Sequence, residues 1–106
     1  MTNIGTPTKK PAVYLDTETT GLFPQEGAEL LEIAIMEETG KVLLDTFVKP
    51  KYTTDWPDAM AINNITPDMV KDAPTIDDLA DDIIDAVVGR DVYIWNAKFD
   101  AQFVGF

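Results

Sequence analysis

The chain has 106 residues, of which 45% are hydrophobic and 9% aromatic; this suffices for one folded domain with a modest core and excludes a disordered chain. The absence of cysteine excludes disulfides and thiolate metal sites, and the absence of histidine excludes an imidazole ligand or base. A net charge of −11, from 19 acidic and 8 basic residues, disfavours sequence-independent binding to nucleic-acid phosphates unless metal ions or a local basic patch offset it.

The start of the chain is polar and contains proline. We expect residues 1–11 to form a loose leader and residues 12–106 to form the domain. The leader lacks the apolar region of a signal peptide, and no apolar run approaches membrane-spanning length. The sequence therefore predicts a cytoplasmic location.

Three apolar runs in the first half of the chain predict three successive strands. The predicted elements are a strand at 12–18, a surface loop at 21–27, and strands at 30–37 and 42–48. Glu38-Thr39-Gly40 joins the last two strands, which predicts an antiparallel hairpin with a glycine-containing turn. Leu31, Ile33 and Ile35 would line one face of its first arm, with Glu32 on the other.

Helix signals dominate the second half. Pro57 opens a short helical run at 58–62, and Thr66-Pro67 predicts a helix start with threonine as N-cap and proline at the first position. A fourth strand is predicted at 91–95, after a longer helix. A strand–helix–strand crossover of this kind favours a parallel neighbour for the fourth strand.

The longer helix gives the clearest pattern in the chain. It begins at Thr75, has Asp78 at the capping-box position and ends at Gly89. Its apolar stripe, which we expect to pack on the sheet, comprises Ile76, Leu79, Ala80, Ile83, Ile84, Val87 and Val88. The opposite face carries Asp77, Asp78, Asp81, Asp82 and Asp85. We expect this five-aspartate face to be a solvated surface, with an interaction face as the alternative.

The last twelve residues predict a final helix. Asn96 would be its N-cap, with the helix running from residue 97, and Asp100 lies four residues later on the same helical face. Phe99, Phe103 and Phe106 repeat at helical spacing and are most simply core residues.

Asp16 and Glu18 follow the first apolar run directly. If the strand continues through Glu18, the two-residue period places both carboxylates on one face of the sheet. Two carboxylates this close resist ionising together unless a cation lies between them, and oxygen ligands suit Mg²⁺ or Mn²⁺. The alternative is a polar strand end that leads into a turn, because an Asp-x-Glu pattern is common by chance.

Two segments carry a resemblance to a known superfamily. The run from Asp16 to Leu22 (Asp-Thr-Glu-Thr-Thr-Gly-Leu) resembles the first motif of the DEDD-type 3′–5′ exonucleases, which include polymerase proofreading exonucleases and RNase T-like enzymes. The run from Trp95 to Asp100 resembles the second motif, in which an acid follows an asparagine by four residues. The stretch from Ala59 to Thr66 is similar to the Ala-x-x-Ile-x-Gly-Ile-Thr segment of many members, with Asn64 in place of the glycine.

The resemblance implies an α/β fold of the RNase H-like type. Strands one to three of its mixed sheet would be antiparallel, strand four would be parallel to strand one, and helices would pack on the sheet. It also implies metal-dependent hydrolysis of phosphodiester bonds at nucleic-acid 3′ ends by a two-metal mechanism, using Mg²⁺ or Mn²⁺. Single-stranded DNA is the favoured substrate, with RNA as the alternative.

The motif match also implies roles for individual residues. The expected catalytic metal ligands are Asp16, Glu18 and Asp100. The expected contacts to the terminal nucleotide are Thr19, which is polar, and Leu22, which is apolar. Asn96 and Phe99 would support substrate binding, with a helix cap and a core residue as their alternatives.

The family's third motif has no match in the 106 residues. That motif supplies a fourth acidic ligand and a histidine or tyrosine base, and Tyr14, Tyr52 and Tyr93 do not match its position. We therefore expect an N-terminal portion of the domain, whose metal site is incomplete and whose activity alone is doubtful. One side of strand four and the phenylalanine stripe would then be left uncovered, which would favour self-association or a partner.

Three functional hypotheses follow. The first is the N-terminal part of a 3′–5′ exonuclease. The second is a catalytically dead relative that binds a partner. The third, motivated by the charge of −11, is an acidic mimic of nucleic acid.

Overall fold

The computed structural model describes residues 10–94. Their elements are β1 (Val13–Thr19), β2 (Leu30–Glu37), β3 (Val42–Phe47), α1 (Pro57–Asn63), α2 (Pro67–Val70), α3 (Ile76–Val87) and β4 (Val92–Ile94), with a short 3₁₀ turn at Pro24–Glu26 inside the predicted loop. Most of the predicted leader, the final helix from residue 97 and the phenylalanine stripe lie outside the described residues. None of the helices between residues 10 and 94 has the length and apolar character needed to cross a membrane.

The four strands form one mixed sheet in the order β3-β2-β1-β4. β1 pairs antiparallel with β2, β2 pairs antiparallel with β3, and β4 pairs parallel with β1, with Val13 opposite Val92. The predicted strand directions and the α/β class are therefore confirmed. Within residues 10–94, β4 pairs with a strand on one side only.

The core lies between one face of the sheet and α3. β1 alternates strictly, with Val13, Leu15 and Thr17 buried and Tyr14 and Asp16 exposed. The buried residues of the main cluster are Val13, Leu15, Leu30, Ile33, Ile35, Val48, Leu79, Ile83 and Ala86. Each large aliphatic side chain buried in this way contributes roughly 1.5–3 kcal/mol relative to exposure.

A second, smaller cluster lies beside the first two helices. It consists of Leu31, Trp56, Ile65 and Val70, and the indole Nε1 of Trp56 donates a hydrogen bond of 2.7 Å to the Ile65 carbonyl. All three residues predicted to line one face of β2 are buried, but Leu31 packs in this second cluster rather than with Ile33. The register skips Leu31, because Glu18 pairs with Glu32 and Thr19 pairs with Leu30.

The predicted buried stripe of α3 is partly wrong. Ala80, Ile84 and Val88 are exposed, with Ile84 at 57% and Val88 at 54%, whereas Ala86 is buried. The helix therefore buries the edge of its apolar arc that carries Ala86, and leaves the edge with Ile84 and Val88 in solvent. All five aspartates of the opposite face are exposed, as predicted.

The helix ends follow the predicted capping chemistry. The Thr75 hydroxyl accepts a hydrogen bond from the Asp78 N–H, and the Asp78 carboxylate accepts one from the Thr75 N–H. The Thr66 hydroxyl accepts a hydrogen bond from the Met69 N–H. Asn64 caps the C-terminal end of α1 with a φ of +60°, a left-handed conformation that asparagine tolerates better than most residues. This conformation accounts for asparagine where the related motif has glycine.

An almost buried ion pair joins the start of β4 to the hairpin. Arg90 Nη1 donates hydrogen bonds of 2.9 Å to Glu37 Oε2 and to the Pro11 carbonyl, and the two side chains are 10% and 12% exposed. Hydrogen bonds from Thr39 and Arg90 lower the pKa of Glu37 despite its burial. This pair holds three separate segments of chain at one corner of the sheet.

Candidate active site

The open face of β1 carries both predicted acids. Asp16 and Glu18 lie on the face opposite the core, with Asp16 exposed and Glu18 half-buried. The Asp16 Oδ1 accepts a hydrogen bond of 3.0 Å from the Thr17 N–H. The shared face predicted from the two-residue spacing is therefore confirmed.

Neighbouring strands add two further acids to this face. Glu32 of β2 is the register partner of Glu18, and Asp45 of β3 is the partner of Ala34, which in turn pairs with Asp16. Burial raises the pKa of Glu32, and the negative charges of Asp45 and Asp16 raise it further. We call the four side chains of Asp16, Glu18, Glu32 and Asp45 the acidic face.

Neither Glu32 nor Asp45 was predicted from the sequence to belong to this site. Alternation along β2 placed Glu32 opposite the buried residues, but its position beside Glu18 depends on the register between strands. Periodicity within one strand does not determine that register.

The acidic face suits a hard divalent cation in its chemistry, since its donors are all carboxylate oxygens. Within residues 10–94, however, no group of three or more acidic side chains is arranged to hold a metal ion. The third predicted ligand, Asp100, lies outside the described residues, as do Asn96 and Phe99. The described part thus contains two of the three predicted ligands, on one strand.

A cleft of about 450 Å³ begins where the acidic face ends. Its walls are the end of β1, the loop through Leu22, and α1, and we call it the α1 cleft. Leu22 is 67% exposed at the cleft, so its apolar side chain is open to contact. Thr19 also lines the cleft but is buried, and its hydroxyl donates a hydrogen bond of 2.6 Å to the Gly21 carbonyl. The Thr19 hydroxyl proton is therefore used within the turn.

The carboxylate of Glu29 holds the loop that precedes α1. It accepts hydrogen bonds from the backbone N–H groups of Lys51, Tyr52 and Thr53, at 2.7, 3.1 and 2.7 Å, and from the Thr53 hydroxyl at 2.7 Å. Burial raises the pKa of Glu29, but these hydrogen bonds outweigh that effect, so the pKa is lowered overall. The backbone N–H of Glu29 donates a hydrogen bond of 3.0 Å to the hydroxyl of Thr20, which directly follows β1. Glu29 thus connects the loop before α1 to the end of β1.

An apolar groove of about 640 Å³ occupies the other end of the open face. Tyr14, Met36 and Tyr93 line it beside Asp16, and the rings of Tyr14 and Tyr93 lie 5.7 Å apart. The acidic face thus lies between an apolar groove and the α1 cleft.

The chain is similar in sequence to a known protein family and to several known proteins. Residues 13–106 match the RNase T sequence family, which is described as "Exonuclease". The chain is 33% identical to the DNA polymerase III subunit epsilon of Pasteurella multocida, over all of this chain and 44% of that protein. It is 37% identical to the uncharacterized exonuclease CP81 of Escherichia phage 186, over 87% of this chain and 46% of that protein. Against the epsilon subunit of Escherichia coli the identity is 31%, over 89% and 42%. The chain spans less than half the length of these relatives.

Proposed function

The chain belongs to the RNase T exonuclease family, and from this premise we propose that it acts in metal-dependent 3′–5′ exonuclease chemistry, hydrolysing phosphodiester bonds at nucleic-acid 3′ ends. Single-stranded DNA is the favoured substrate, because two of the similar proteins are named as subunits of a DNA polymerase. RNA is the alternative substrate. A cytoplasmic location remains part of this proposal.

One observation supports the proposal best. Asp16 and Glu18 share an open strand face, and Glu18 lines the α1 cleft. A volume of about 450 Å³ is within the range of small-ligand sites, so a terminal nucleoside can occupy the cleft while its phosphate faces the carboxylates.

The proposed metal ligands are Asp16, Glu18 and Asp100, and the metal is Mg²⁺ or Mn²⁺. Ions held by these residues would polarise the scissile phosphate and would lower the pKa of the attacking water. The carboxylates hold negative charge at a fixed place. Burial raises the pKa of Glu32, the negative charges of Asp45 and Asp16 raise it further, and this repulsion between charges favours uptake of a cation there.

The proposed nucleotide contacts lie in and beside the α1 cleft. The exposed side chain of Leu22 packs against the terminal base, and Thr19 shapes the turn through its hydrogen bond to Gly21. Asn96 and Phe99 are proposed to support substrate binding.

Calorimetric titration with Mn²⁺ tests the metal site directly. Asp16→Asn should remove most Mn²⁺ binding, because it removes one of the two carboxylates on the open face of β1. Asp81→Asn is the matched control, since it makes the same change of charge at an exposed position of α3. Equal Mn²⁺ binding by Asp16→Asn and the wild-type chain would contradict the proposal.

A second assay follows nucleotide release from single-stranded DNA labelled at its 3′ end. Release by the wild-type chain, however slow, should require Mn²⁺ or Mg²⁺ and should disappear in Asp16→Asn but not in Asp81→Asn. Release that persists in Asp16→Asn would assign the activity to another site or to a contaminant.

A further inference from the structure

The α1 cleft has as one wall a helix whose own side chains contribute little apolar burial. α1 forms one wall of the cleft but has no buried side chain. Ala59 and Met60 are only partly buried against the second core cluster. The buried Trp56 and Ile65 anchor the chain at the two ends of α1, whereas the helix itself buries little, so its hydrogen bond to β1 contributes to how far it lies from that strand.

Asn63, the last residue of α1, supplies the hydrogen bond that reaches β1. Its Nδ2 donates to the Thr19 carbonyl at 3.1 Å, across 44 residues of sequence. Its Oδ1 accepts from the Ile65 N–H at 3.0 Å, and the Ile65 carbonyl accepts from the buried indole of Trp56. One side-chain amide thus connects the end of β1 to the segment that closes α1.

We propose that Asn63 is a positioning residue that sets the width of the α1 cleft and thereby the affinity for a nucleoside. This inference rests on the proposed function, which assigns the cleft to the terminal nucleotide. Thr19, whose carbonyl accepts the bond, directly follows the predicted ligand Glu18, so the same contact fixes α1 relative to the carboxylates.

The chemistry of the contact requires an amide. The site needs a donor toward Thr19 and an acceptor toward Ile65, and the asparagine side chain offers both. An ionised aspartate of the same shape accepts only, so it would place a carboxylate oxygen against the Thr19 carbonyl. A protonated aspartate again offers one donor and one acceptor.

The test follows thymidine binding by amide chemical shifts of cleft residues. Thymidine is uncharged and needs no metal, so its binding reports on the cleft rather than on the carboxylates. Near neutral pH, Asn63→Ala and Asn63→Asp should each bind thymidine about tenfold more weakly than the wild-type chain. At about pH 4, near the ordinary pKa of an aspartate, Asn63→Asp should recover toward wild type while Asn63→Ala does not.

Two controls separate positioning from general destabilisation. Asn64→Ala places alanine at a φ of +60°, which destabilises the same helix end without removing the bond to Thr19, and it should bind thymidine as wild type does. The wild-type chain measured at each pH corrects for effects of pH that do not involve residue 63.

The outcomes are distinct. Wild-type affinity in Asn63→Ala would overturn the positioning role, as would an equal loss of affinity in Asn64→Ala. A wild-type chain that takes up no thymidine at millimolar concentration would overturn the use of the cleft for a nucleoside, and this inference with it. The Mn²⁺ titration of Asp16→Asn would then still decide the proposed function separately.

Discussion

Adjacent isoleucines on α3 allow a sharp test of how the helix packs behind the site. Ile83 is 6% exposed in the main core, whereas Ile84 is 57% exposed. Ile83→Ala leaves a cavity and should cost about 2–5 kcal/mol of the free energy of unfolding. Less than half of the Ile84 side chain is buried and no cavity forms, so Ile84→Ala should cost about 1 kcal/mol or less.

Thermal unfolding followed by circular dichroism measures the difference. At roughly 4–8 °C per kcal/mol for a domain near this size, Ile83→Ala should lower Tm by about 8 °C or more, and Ile84→Ala by about 8 °C or less. Asp81→Asn, on the solvated face, should stay within about 0.5 kcal/mol of wild type. Equal losses for Ile83→Ala and Ile84→Ala would refute the assignment of the buried face.

Four further predictions concern the acidic face and its surroundings. In any form of the protein that degrades DNA, Asp16→Ala, Glu18→Ala and Asp100→Ala should each nearly abolish Mg²⁺-dependent nucleotide release; normal release by one variant would exclude that residue from the metal site. The 106-residue chain alone should bind Mn²⁺ weakly and release nucleotides at no useful rate, because it has no histidine and no match to the third motif. A missing base lowers the rate by a factor of roughly 10²–10⁴, and robust release from a labelled 3′ end would contradict this prediction. Because the pKa of Glu29 is lowered, its contribution to stability is complete above the ordinary pKa of 4.5 and is lost as the pH falls through the pKa of the folded state. The difference in Tm between wild type and Glu29→Gln should therefore shrink in acid, and a difference that widens there would show the opposite sign. Burial and, after it, the negative charges of Asp45 and Asp16 raise the pKa of Glu32, so its ionisation opposes folding once the pH exceeds 4.5. Glu32→Gln should therefore raise the Tm of the metal-free chain at neutral pH, saturating Mn²⁺ should reduce the gain, and a lowered Tm would show the opposite sign.

Local patterns were sufficient for most of the fold. The hairpin followed from two apolar runs and the turn at Gly40, which has a φ of +97°. The capping residue Thr75 marked the start of α3. The apolar pattern of α3 could not decide which edge of the helix is buried. Ile84 and Ala86 lie at opposite edges of the apolar arc, and the position of the sheet determines which of the two is covered.

The candidate site shows the same division. The common face of Asp16 and Glu18 needed only the two-residue period of a strand. The neighbourhood of Glu32 needed the register between β1 and β2, and the contact of Asn63 with Thr19 needed the position of α1 in space. Neither relation leaves a local signal in the sequence.

The pairing of β4 with β1 has a consequence for the order of folding. The antiparallel strands β1, β2 and β3 are consecutive, so their pairing closes only short loops, whereas β4 brings Val92 to Val13 and the accompanying Arg90–Pro11 contact spans 79 residues. Closing a long loop costs more chain entropy and slows pairing. We therefore expect the three-stranded meander to form early and β4 to join late. Asp16 and Glu18 would then acquire their common orientation before the sheet is complete.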